Sequence, residues 1–108
     1  MGSGFSIENE LERARDTTLN YKARSAIWHG LMDVAELWQD DALWNEIGEI
    51  IILAFSRDDV SAKISDHFVE KCPDVVFRKY ALQGPHDRYV RWRQRTQELL
   101  PDKLNKQP

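Results

Sequence analysis

Hydrophobic side chains recur every three or four residues along most of this chain, which is the period of an α-helix. The clearest ridge, spaced by four, comprises Val60, Ile64, Phe68 and Cys72. The β-branched triple at 50–52 is compatible with a strand, but the sequence offers no second strand for it to pair with. The pattern therefore predicts an all-α fold, a compact bundle or array of five to six helices joined by short loops.

Capping residues and helix breakers locate the predicted helix ends. The segment Asp16–Thr18 is either a weak break or the middle of one helix that continues to Trp38. The remaining signals predict helices that begin after Ser6, at Asp40 or Asp41, at Ser56 through a capping-box-like SRDD, at Pro73 and at about His86. Gly84 is the predicted C-cap of the helix that begins at Pro73, and Pro101 ends the last helix. We expect a flexible segment or tag at 1–5, one all-helical domain at 6–100 and a flexible tail at 101–108.

The central helix, from about Leu19 to Trp38, carries two apolar faces on a helical wheel. The first face holds Leu19, Ala23, Ala26, Ile27, Gly30, Val34 and Leu37, with Leu31 and Trp38 at its edge. The second holds Tyr21, Trp28, Met32 and Ala35. Lys22, Ser25, His29, Asp33 and Glu36 occupy the remaining polar arc.

A surface helix needs only one apolar stripe, so this helix either lies at the centre of the bundle or offers one side to a partner. Tyr21, Trp28 and Met32 are the residues that we expect at such an interface. Tryptophan and tyrosine are enriched at interface hot spots, and methionine adapts to irregular surfaces.

The charge is unevenly distributed along the chain, although its net value is only −3. Residues up to Asp59 carry twelve acidic and five basic side chains, a net −7, whereas residues from Val60 on carry six acidic and ten basic ones, a net +4. Such polarity indicates contacts between unlike faces, either within one molecule or head-to-tail between copies. Chance segregation of charges on solvated faces is the alternative.

The segment "RSAIWHG", residues 24–30, resembles the short R-x4-6-H signature of HEPN-family ribonucleases, which are all-α and usually dimeric. The resemblance implies metal-independent cleavage at the RNA 2′-hydroxyl. His29 would then act as general acid or base, and Arg24 would steady the phosphate. The match covers seven of 108 residues. Positions five apart on a helix differ by about 140°, so Arg24 and His29 fall on different flanks. In the alternative interpretation, His29 is a surface residue that pairs with Asp33 at i+4.

The last helix places Arg88, Arg91 and Arg95 along one stripe beside Tyr89 and Trp92. Arginines next to aromatic rings can hold nucleic acid, so nucleic-acid binding is a second alternative function. The acidic pI of about 5.6 weighs against it. We expect instead that these arginines face acidic clusters of the first half, namely Glu8, Glu10 and Glu12 or Asp40 and Asp41.

Other chemistry is sparse in this sequence. The three histidines are far apart, so we predict no metal site and no cofactor, and we expect Cys72 to be a small buried hydrophobe. One cysteine fits a reducing, cytoplasmic compartment, and no apolar run is long enough to span a membrane. The start "MGSGFS" fits N-myristoylation at Gly2, although a cloning scar or flexible tag is the favoured interpretation of GSG.

These observations together predict a small helical protein–protein interaction module of adaptor or regulatory type, and they favour a binding protein over an enzyme. Self-association would use the two-sided central helix and the complementary acidic and basic faces. The surface would comprise Tyr21, Trp28, Met32, Arg88, Arg91 and Arg95.

Overall fold

The structure is a computed structural model that describes residues 6–57 and 60–105, with backbone alone for 104 and 105. Over these ranges the chain is all-α, as predicted, and contains no strand. Its helices are α1 (Ile7–Ala14), α2 (Tyr21–Trp38), α3 (Asp41–Ser56), α4 (Ala62–Lys71), α5 (Asp74–Tyr80), α6 (Val90–Leu99) and α7 (Pro101–Asn105), with a 3₁₀ turn at Ala81–Gln83.

Side-chain caps at the first three helices explain where they begin. The Ser6 hydroxyl accepts a hydrogen bond from the Asn9 amide at 3.4 Å, and the Asp40 carboxylate accepts one from the Leu43 amide at 3.1 Å, which confirms both predicted caps. The segment after α1 is a true break. Asp16 accepts hydrogen bonds from the backbone and hydroxyl of Thr18, and Asn20 then caps α2.

Two predicted helix starts were wrong. Ser56 ends α3 rather than starting a helix, and α4 is capped by Ser61, whose hydroxyl accepts from the Ile64 amide at 3.3 Å. The rest of the SRDD signal, Asp58 and Asp59, lies outside the described residues. The last long helix begins at Val90 rather than His86, because the chain turns after Pro85.

The segment predicted as a flexible tail begins with a further helix. Pro101 does end α6, but it also occupies the first position of α7. Proline is well suited to that position, because the backbone N–H that it lacks would have no acceptor within the helix, and because its φ is already helical. Residues 101–105 of the predicted tail are therefore helical, while 106–108 lie outside the described residues, as do 1–5 and the candidate acceptor Gly2.

The core is built around aromatic rings from α3, α4, α5 and α6. Trp92 is fully buried and stacks on Phe68, with ring centroids 5.6 Å apart and planes inclined by 12°. Phe77 and Phe55 contact the same indole at centroid distances of 4.9 and 5.2 Å. The Trp92 Nε1–H donates to the Ala81 carbonyl at 2.8 Å, so the buried polar edge of the ring is satisfied.

Ion pairs between helices lie on the surface and join segments far apart in sequence. Lys71 on α4 pairs with Glu36 on α2 at 3.3 Å, so one contact does link the basic and acidic halves. The arginines of α6 have other partners than we expected: Arg91 pairs with Glu70 and Arg95 with Asp74. For Arg91 and Arg95, the prediction that they face Glu8, Glu10 and Glu12 or Asp40 and Asp41 was wrong, because α6 packs on α4 and α5. None of the described helices combines the length and apolarity needed to cross a bilayer.

Candidate interaction surface and metal-binding cluster

Two residues that the sequence assigned to a partner interface lie in the core. Trp28 is 2% exposed and Met32 is fully buried. The Trp28 Nε1–H donates to the Ala14 carbonyl at 3.0 Å, which ties α2 to the end of α1. Tyr21 is half-buried, and its hydroxyl accepts from the Ser61 amide at 2.9 Å. The placement of Trp28 and Met32 at a surface is therefore corrected: this stripe of α2 is covered by the chain's own helices.

The other apolar face of α2 is the one that reaches the surface. Leu37 is 78% exposed and Trp38 is 57% exposed, and Ile27 and Val34 are half-buried. We call this face the α2 strip; it comprises Ala26, Ile27, Gly30, Val34, Leu37 and Trp38. These positions fall within a sector of about 120° on the helix, so they form one continuous surface about 18 Å long.

An open groove of about 350 Å³ runs beside the first part of the α2 strip. One wall is α1, through Glu10 and Arg13, whose side chains pair with each other at 3.3 Å. The floor is apolar and includes Leu31 at its edge. Gly30 keeps the floor low because it has no side chain. The space above its Cα atom is open, with no neighbouring atom within 4 Å of where a Cβ would lie.

A second feature lies where α2 packs against α4. His29 and Asp33 are one turn apart on α2, and His67 projects from α4. One ligand atom from each of these residues lies within 4.8 Å of the other two. The two imidazole rings are 4.1 Å apart between centroids, and His67 Nε2 is 3.5 Å from Asp33 Oδ1. The absence of a metal site was predicted from the spacing of the histidines, yet the fold brings two of them together.

The environment of this cluster favours neutral imidazole at His29. Burial lowers the pKa of His29, and the neighbouring His67 and Lys63 lower it further, against an opposing effect of Asp33.

The side chain of Cys72 remains a thiol in its buried environment. Burial raises its pKa to about 12, so it stays protonated and unreactive at neutral pH, as a buried hydrophobe should.

Arg24 and His29 do not share a site. Arg24 is buried, its Nε–H donates to the Leu19 carbonyl at 3.0 Å, and its guanidinium lies 5.6 Å from the Trp28 ring centroid. It borders a cavity lined also by α3, whereas His29 faces α4. The pair that resembles the ribonuclease signature thus points to two different neighbours within one chain.

The three arginines of the predicted interaction surface have different surroundings. Arg88 and Arg91 are exposed, and the Arg88 guanidinium lies 5.8 Å from the Tyr89 ring centroid. Arg95 is half-buried: it pairs with Asp74 at 2.6 Å and lies 4.7 Å from the Phe77 ring centroid. Of the two aromatic rings that the sequence places beside these arginines, Trp92 lies inside the core and is closed to a base.

His67 was missed as a site residue because it lies 38 positions from His29 and one position from the core residue Phe68. The one usable signal was the spacing of His29 and Asp33, which sets an imidazole and a carboxylate on the same side of α2. No family model, curated protein or solved structure matches this chain. Its function is therefore inferred from its own surfaces and side-chain clusters.

Proposed function

We propose that this protein is a protein–protein interaction module that self-associates by packing the α2 strips of two copies against each other. The observation that carries this proposal is the exposure of large apolar side chains along one continuous face of α2, above all Leu37 and Trp38. Exposed apolar surface of this extent is unfavourable in water unless it is covered by a partner.

The graded size of the side chains on the α2 strip favours a second copy as the partner. Its N-terminal half is small, with Ala26 and Gly30, and its C-terminal half is large, with Val34, Leu37 and Trp38. Two strips packed antiparallel about a twofold axis bring the large half of each copy onto the small half of the other. Such an interface is self-complementary, as a twofold contact must be.

The groove beside the strip supports the same arrangement. A helix seated on Gly30 can approach closely, because nothing fills the space above its Cα atom. The α1 wall then contacts the flank of the incoming helix, with Glu10 and Arg13 at the rim. This is a helix-in-groove contact, in which an apolar face supplies the affinity and polar residues surround it.

An adaptor or regulatory role suits a homotypic module of this size. The buried, protonated Cys72 agrees with a reducing, cytoplasmic location. Of the residues that the sequence suggested for the interface, Arg88 and Arg91 are exposed and lie outside the strip, and Trp28 and Met32 lie in the core.

Amide chemical shifts in a dilution series of the ¹⁵N-labelled protein test this proposal. We expect concentration-dependent shifts on the α2 strip and the facing side of α1. Leu37→Glu should abolish them, because it places a carboxylate in the apolar contact while its own site on the monomer is exposed. Leu53→Glu is the matched control, since Leu53 is also exposed but lies on α3.

Spectra that do not change up to millimolar concentration would contradict self-association. Shifts that cluster on α6, or that persist in Leu37→Glu, would contradict the assignment of the surface to the α2 strip.

A further inference from the structure

Two buried nitrogen atoms face the interior of the α2–α4 contact with no hydrogen-bond partner. They are Nε2 of His29 and Nε2 of His67. In the described part of the chain, three buried side-chain polar atoms lack a partner, so two of the three belong to this one cluster. A buried polar atom without a partner is unfavourable, so two of them in adjacent rings point to a ligand that both could bind.

The third member of the cluster, a carboxylate, supplies a negative charge beside the two imidazoles. Asp33 is 64% exposed, so its carboxylate can rotate, and its Oδ1 already lies 3.5 Å from His67 Nε2. The three ligand atoms come from two helices and lie within 4.8 Å of one another. Ligands of a tetrahedral zinc ion with bonds of about 2.0–2.1 Å lie about 3.3 Å apart. Rotations that close the cluster by at most about 1.5 Å would therefore complete the set.

We propose that His29, Asp33 and His67 form a binding site for a divalent transition-metal ion, with zinc as its first occupant. Two imidazole nitrogens and one carboxylate oxygen are a ligand set for zinc, cobalt or nickel, whereas calcium and magnesium prefer oxygen ligands. Three protein ligands leave one position for water or another ligand, on the side where Asp33 meets solvent.

The site would fasten α2 to α4 at the edge of the molecule. Lys71 and Glu36 form a surface ion pair between the same two helices, and exposed pairs of this kind contribute little. A metal ion that binds only the folded chain stabilises it in proportion to the logarithm of its concentration. This inference is independent of self-association, since none of the three ligands belongs to the α2 strip.

Titration of zinc chloride into the metal-free full chain, followed by calorimetry and by thermal unfolding, tests the site. We expect one ion per chain and a rise in Tm with zinc concentration. Loss of one ligand should weaken binding at least about 100-fold, because even loss of a group that only orients a ligand weakens metal sites by about 10–100-fold. The variants are Asp33→Asn and His67→Gln.

Matched controls separate the cluster from general zinc binding. Asp66→Asn changes a carboxylate beside His67, and His86→Gln removes the third histidine, whose Nε2 contacts the Ala81 carbonyl at 2.7 Å. Both should bind zinc like the original chain. The imidazole ¹⁵N resonances of His29 and His67 in the unaltered protein give a readout that needs no variant, and both should shift on zinc addition.

Absence of zinc binding would overturn the site, as would binding that survives Asp33→Asn and His67→Gln. Unmoved His29 and His67 resonances at saturating zinc would also overturn it, and would leave a bridging water as the partner of the two nitrogens. Failure here would leave self-association untouched, because the dilution series contains no metal.

Discussion

Gly30 and Gly48 each occupy the interior of a long helix, where glycine is unfavourable because its backbone loses the most freedom on folding. Their surroundings differ. Gly48 is buried, and a Cβ atom there would lie 2.5 Å from Cε2 of Tyr80. That ring cannot move aside easily, because its hydroxyl donates to the Asn45 carbonyl at 3.0 Å. Gly48 is thus explained by packing, whereas no neighbour in the described part of the chain requires a glycine at position 30. The proposed approach of a second copy would require one.

Alanine at the two positions should therefore have opposite effects on the free energy of unfolding. Gly30→Ala should raise it by about 0.5–1 kcal/mol, because it improves helix propensity and meets no neighbour. Gly48→Ala should lower it by about 1–3 kcal/mol through overpacking. Urea unfolding at low protein concentration, where monomer predominates, measures both values. A Gly30→Ala variant less stable than the original would show that α2 is crowded at this point.

His29 shows why single residues are hard to assign from sequence. Its spacing from Asp33 correctly places the two on one side of α2, and that side was expected to be solvated. The fold instead lays α4 along it, so that His67 faces His29. A contact between residues 38 positions apart depends on how two helices dock, and periodicity within either helix holds no information about that. Cys72 was simpler, because its place on an apolar ridge predicts burial directly.

At the scale of the helices, a start was predicted correctly where the sequence offers one capping region. It was missed where two residues can cap and the path of the loop selects between them. Ser6 and Asp40 cap their helices as expected. The start of α4 moved from Ser56 to Ser61, since both serines can cap and only the path of the loop selects one. For α2, periodicity identified two apolar faces but could not say which would be covered. The covered one contains Trp28 and Met32.

The anchoring of α6 gives a prediction at this scale, based on two arginines one turn apart. Arg95 donates to the Val69 carbonyl and to Asp74 and lies against Phe77, whereas Arg91 only pairs with the exposed Glu70. Arg95→Ala should lower the free energy of unfolding by about 2 kcal/mol, allowing for the exposure of Asp74. Arg91→Ala should change it by less than about 1 kcal/mol.

Chemical denaturation of the two variants, with circular dichroism as the signal, compares these values. Equal effects would contradict the view that the half-buried contacts of Arg95, rather than the surface charge pairs, hold α6 against α4 and α5.

At the scale of the whole molecule, only some of the described ion pairs join the acidic first half of the chain to the basic second half. Lys71 with Glu36 joins the two halves, but the arginines of α6 find their acids on α4 and α5. All-α architecture follows from periodicity alone. Which surfaces remain uncovered does not, because that depends on how the helices dock against one another. The exposed face of α2 is the main result of that docking.

Self-association through this face is tested most directly by the mass of the unaltered protein in solution, measured by light scattering from low micromolar to millimolar concentration. The chain has a mass of 12.7 kDa. We predict that the weight-average mass rises toward about twice this value, and that the rise persists at moderate salt, because apolar contacts are not screened by ions. A mass that stays at that of one chain over the whole range would contradict the proposal.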